Sequence, residues 1–153
     1  MEKGRKTGRD GMDEKELASL IHDVTGRVIG CAFAVSNGLK SGFLEKVYEN
    51  ALAHECRKAG LVVEQQRRLV VRYDGVEVGE YVADLVVNDL VLVEVKAGKG
   101  LDPAHDAQCL NYLVATGLPV CLLLHFGVRV DVRRIIGPNA PSFPPGDASK
   151  AIQ

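Results

Sequence analysis

"LVLVEVKAGKG", residues 90–100, reads as a buried strand interrupted by two charges. Side chains alternate faces along a strand, so Glu94 and Lys96 point the same way, roughly 6–7 Å apart. Burying an unpaired charge is expensive, and even a buried pair often fails to recover its desolvation cost. Asp84 lies in a second valine-rich run, "VEVGEYVADLVV" (76–87), which a turn at Asn88-Asp89 separates from the first. If the two runs pair as a hairpin, Asp84 arrives beside Glu94. A two-residue loop would oppose Asp84 to Val93 and send the carboxylates to opposite faces. A shared site therefore predicts a three-residue connection, Asn88-Asp89-Leu90, or a bulge that adds one residue.

Two carboxylates with a lysine two residues on admit two readings. Carboxylate oxygens are the hard ligands Mg²⁺ prefers, and magnesium keeps several waters while accepting phosphate oxygens. Lys96 would then hold a phosphate or position a water. Otherwise the three residues form a buried or edge Asp–Lys–Glu salt-bridge group with no chemistry.

The pattern around this stretch gives the architecture. "DEKELASLIHDVTGRVIGCAFAVSNGL" (13–39) has apolar residues at helical spacing and should stop near Asn37-Gly38. A second helix is expected from about Gly42 to Lys58, with Gly42 as N-cap and Glu45 at the third position of a partial capping box. "LVVEQQRRLVVRYDG" (61–75) is a strand turning at Asp74-Gly75, a hairpin signal. Asp102 as N-cap and Pro103 at the first position open a third helix, ending near Gly117. Within it His105, Gln108 and Tyr112 share a face, where polar groups need partners. His105 alone reads as a solvated residue. "PVCLLLHFG" (119–127) is apolar throughout, as in a strand covered on both faces, and "VRVDVRRII" (128–136) is a last strand. The order helix, helix, three strands, helix, two strands defines an α/β domain with a central sheet.

Composition bounds the rest. A chain of 153 residues, 46% apolar and 25% charged, builds one core. A net charge of −1 predicts no strong global attraction to nucleic acid or membranes. Four scattered cysteines without a C-x-x-C read as buried thiols in a reducing compartment. Residues 1–12 read as a flexible basic leader without an apolar signal segment. Residues 13–136 are the expected domain, and 137–153, rich in Pro, Ser and Ala, the expected disordered tail. No apolar stretch reads as a membrane span, and a cytoplasmic protein is expected. The sequence is silent on homo-oligomers.

Gly42-x-x-Glu45-x-x-Tyr48, then Asp84 with Glu94-Val95-Lys96, then Gln108-x-x-x-Tyr112, resembles the GxxExxY protein family. That family is placed in the PD-(D/E)XK nuclease superfamily, and the likeness runs from about Leu17 to Ile136. His125-Phe126-Gly127 also stands where such proteins tend to end a strand with Asn or His, Phe and Gly. One departure is Ala83, where the superfamily motif carries proline.

The resemblance implies a restriction-endonuclease-like core, a central mixed sheet flanked by helices. It implies Mg²⁺, with Mn²⁺ able to substitute, held by Asp84, Glu94 and the Val95 carbonyl, with Glu45 reaching it through water or from behind these direct ligands. Lys96 would orient the attacking water or stabilise developing charge, and Gln108 would orient Lys96 or the substrate. Tyr48 and Tyr112 stay open between site and packing. The implied partner is nucleic acid, DNA favoured, with Arg67, Arg68, Arg72 and Lys99 as candidate grips on its backbone. A non-catalytic module that kept the fold and binds nucleic acid or protein is the other reading. A glycosidase with paired carboxylates would lack aromatic sugar platforms.

Overall fold

The computed structural model describes residues 11–143. Most of the expected leader, and the expected tail beyond 143, lie outside the described residues. Helix α1 spans Glu14–Leu39, with the Asp13 carboxylate accepting the Glu16 N–H at 2.7 Å as N-cap. It ends at Leu39, one residue past Asn37-Gly38 and so near the expected stop, with Lys40 as C-cap at φ 63°. By length and composition α1 is apolar enough to cross a bilayer, contrary to the sequence expectation. Its face Ile21, Val24, Val28, Ala32 and Val35 is instead buried against the sheet, which makes it a core helix.

Helix α2 spans Glu45–Lys58. Its N-cap is Leu44, with no side-chain cap bond, so Glu45 is the first helical residue and not the third. Gly42 lies before the helix at φ 106°, a conformation that other residues rarely adopt.

Strands β1 (Val63–Tyr73) and β2 (Val76–Val87) join through Asp74 and Gly75 at φ 51° and 76°. Positive φ at both loop residues is what a two-residue type I′ hairpin turn requires. Strand β3 spans Val91–Ala97. Its pairing with β2, Leu85 to Val93, Val86 to Leu92 and Val87 to Val91, leaves Asn88-Asp89-Leu90 as a three-residue connection. This is the parity the sequence argument demanded. Asn88 and Asp89 take φ 53° and 49°, and the Asn88 side chain accepts the Val62 N–H at 2.8 Å.

Helix α3 (Pro103–Thr116) opens with a capping box. Asp102 accepts the Ala104 N–H at 2.6 Å and His105 Nδ1 accepts the Asp102 N–H at 3.2 Å. His105 is therefore a capping residue, not merely a solvated one. Strands β4 (Val120–Phe126, buried throughout) and β5 (Val130–Ile136) complete a five-stranded sheet in the order β1-β2-β3-β4-β5. β3 and β4 run parallel, as the α3 crossover requires, and the other neighbours antiparallel.

The sheet separates two apolar layers. One joins α1 and α2 to Leu85, Val87, Val93, Val95, Leu122 and Leu124. The other joins α3, through Cys109, Tyr112 and Leu113, to Val86, Leu92, Cys121 and Leu123. Each fully buried Leu or Ile in these layers contributes about 1.5–3 kcal/mol relative to exposure. All four cysteines are buried and free. Residues 137–143 have no regular structure, yet the Ser142 N–H donates to Glu14 at 2.8 Å and Phe143 packs at the edge of the first layer.

Candidate active site

The β2–β3 ladder ends at Leu85 and Val93, and the next opposed pair is Asp84 and Glu94. Opposed residues share a face. The Val86–Leu92 pair lies in the α3 layer, so alternation puts Asp84 and Glu94 on that side too. Here side chains replace the backbone ladder. The Asp84 N–H donates to Glu94 Oε1 at 3.2 Å, and the Val95 N–H donates to Asp84 Oδ2 at 2.8 Å. Each carboxylate is thus fixed to the opposite strand, which holds both at the mouth of the splitting sheet.

The electrostatics are those of a site short of positive charge. Glu94 is 5% exposed. Burial first, then the Asp84 carboxylate, push its carboxyl up to about 8. Burial likewise raises Asp84, against the Val95 N–H, which lowers it. Lys96 acts favourably on both acids, yet its ammonium stands in no ion pair within 4.0 Å among the described residues. The salt-bridge reading of these three residues therefore lacks its bridge. Tyr112, buried in α3, is pushed up to about 12, by burial and then by Glu94.

Two hard carboxylates and the adjacent Val95 carbonyl fit a divalent cation that keeps several of its waters. Among the described residues no three or more His, Cys, Asp or Glu side chains group as a metal site.

The remaining sequence candidates are placed as follows. Glu45 is exposed at the start of α2, and Gln108 is exposed on α3 without a side-chain hydrogen bond among the described residues. Tyr48 is fully buried. Its hydroxyl donates to the Lys40 carbonyl at 2.6 Å and accepts the Phe43 N–H at 3.2 Å, while its ring stacks on Phe126 at 4.8 Å. Tyr48 thus clamps the turn that carries Gly42, and no surface is left for a substrate. Arg67 is paired with Asp89 at 2.8 Å, and Arg68 binds both oxygens of Glu80 at 2.7 and 2.6 Å. Arg72 and Lys99 are exposed and carry no such pair among the described residues.

One residue near the site was not singled out from sequence. Glu49, one turn after Glu45, is 4% exposed and raises both Asp84 and Glu94. A polar residue at a position facing the core of an amphipathic helix was the available signal. His125, opposite Lys96 in the β3–β4 ladder, is buried, and its Nε2 lies 3.0 Å from the Gly98 carbonyl. That contact tethers the turn after Lys96.

A mixed sheet that splits at an Asp, with Glu and Lys following on the next strand, is the arrangement the sequence led one to expect. The sequence profile of the PD-(D/E)XK nuclease superfamily matches residues 22–135, and the chain belongs to that superfamily. No relative was found among curated proteins. The solved structure of SSO0001 is similar in fold, with a TM-score of 0.50 and 15% identity over 90% of this chain; the match spans 65% of that chain's length. An alkaline exonuclease (LHK-Exo) from Laribacter hongkongensis aligns with a TM-score of 0.49 and 16% identity, over 80% of this chain and 77% of its own.

Proposed function

We propose that this protein is a metal-dependent nuclease of the GxxExxY type that hydrolyses phosphodiester bonds in nucleic acid, DNA by preference. The observation that carries the reading is the register. A three-residue connection sets Asp84 opposite Glu94, and Lys96 follows on the same strand face. Asp84, Glu94 and the Val95 carbonyl would hold Mg²⁺ or Mn²⁺. A divalent cation there supplies positive charge to the scissile phosphate and lowers the pKa of water. Lys96 has no committed counter-ion, so its ammonium is available to orient the nucleophile or meet charge developing on the phosphate. Arg72 and Lys99 can bind backbone phosphates without first giving up a partner. Arg67 and Arg68 must exchange theirs, at little cost, because exposed pairs are worth about 0–1 kcal/mol.

The test is a panel of plasmid, linear duplex, single-stranded DNA and RNA, incubated with Mg²⁺, Mn²⁺ or EDTA. Cleavage with metal, abolished by EDTA and by Asp84→Asn, supports the reading. Intact substrates throughout, under conditions where metal binds, would leave the non-catalytic module standing.

A further inference from the structure

Successive strand side chains point to opposite faces, yet Gln65 and Gln66 of β1 reach the same carboxylate. Gln65 Nε2 donates to Glu49 Oε2 and Gln66 Nε2 to Glu49 Oε1, each at 2.8 Å, and Lys46 donates to Oε2 at 2.8 Å. This is possible because Gln66 sits at φ 55°, a left-handed conformation costly for a residue with a Cβ. From that point β1 changes faces. Val63 packs with the α1–α2 layer, whereas Leu69 belongs to the α3 layer.

Strand β2 makes the same change at the matching place. Gln65 pairs with Leu85 and Arg67 with Ala83, so Gln66 stands opposite Asp84. Leu85 lies in the α1–α2 layer, but Ala83, two residues away, lies in the α3 layer. The outer hairpin thereby bends toward α3, where Tyr81 meets Tyr112 at 5.0 Å between ring centroids. Asp84 is the residue at which β2 leaves β3, and the fork it opens holds the two carboxylates.

We infer that Glu49 is a positioning residue for the site: by gripping Gln65 and Gln66 it enforces the left-handed break in β1, and that break sets Asp84 against β3. Its relevance to catalysis rests on the nuclease reading; the mechanical claim does not. Both oxygens of Glu49 are already occupied by side-chain donors, so its role differs from that of a metal ligand.

The bond from the Val95 N–H to Asp84 gives a local readout. Amide hydrogen exchange at Val95, measured without metal or substrate, should speed up roughly tenfold or more in Glu49→Ala, while Leu122 in β4 stays protected. Adding Gln66→Gly should restore protection at Val95, because glycine takes positive φ without a clamp. Mn²⁺ affinity should fall and recover in parallel. Should Glu49→Ala fold poorly, Gln66→Ala and Gln66→Gly make the same comparison, with only the alanine form losing Val95 protection. Unchanged exchange at Val95, equal loss at Leu122, or failure of glycine to restore protection would each overturn the inference. None of these outcomes depends on nuclease activity, so a failed cleavage assay and a failed clamp are separately visible.

Discussion

At the scale of single residues, the protonation of buried Glu94 has a signed consequence. Its carboxyl is raised from 4.5 to about 8 in the folded protein. Between those values the folded state holds a proton the unfolded chain has released, so stability falls as pH rises through that window. Each unit is worth about 1.4 kcal/mol. Metal-free protein should therefore be less resistant to urea at pH 8 than at pH 5, and Glu94→Gln should flatten the difference. An equal pH slope in both proteins would count against a strained carboxylate pair. Lys96→Ala should leave metal binding intact while turnover drops by about 10²–10⁴. Calorimetry beside a rate assay separates the two effects. The pairing of Asp84 with Glu94, and of Lys96 with them on one face, was legible in sequence on one condition, a three-residue connection or a bulge, and the three-residue connection is present. Glu49 was not, because its partners lie 16 and 17 residues away and require a left-handed residue that no propensity signals at glutamine.

At the scale of elements, the Gly42–Tyr48 stretch works as a turn held by a buried hydroxyl. The sequence suggested a glycine cap with a glutamate at the third position. The structure gives that stretch another physical logic, in which Gly42 supplies positive φ and Tyr48 closes the turn on Lys40 and Phe43. Tyr48→Phe removes a donor to a backbone carbonyl and should cost about 1–3 kcal/mol in denaturant unfolding. Gly42→Ala should cost about 1–3 kcal/mol through backbone strain. If both are neutral, the turn is not held this way. The element order along the chain and the start of the third helix at Asp102 followed from pattern and capping chemistry. The helix boundary that differed, at Gly42, involves a glycine whose role depends on its φ of 106° and not on composition.

At the scale of the whole molecule, the two apolar layers explain why a helix as apolar as α1 packs on the sheet, and why Phe143 packs at the edge of the first layer. Truncation after Phe143 and truncation after Gly137 should differ by about 1–2 kcal/mol, the worth of partly burying one phenylalanine. Equal melting temperatures would show that Phe143 contributes nothing. We propose that Asp84 and Glu94 hold a metal and do not bridge Lys96. The most direct test is the change in melting temperature on adding Mn²⁺ to wild type and to Glu94→Gln at pH 8. Wild type should gain stability with metal. Glu94→Gln should gain little, yet melt no lower than wild type without metal, because it relieves the repulsion with Asp84. No metal-induced shift in wild type, together with a metal-free Glu94→Gln that melts far lower, would contradict the account.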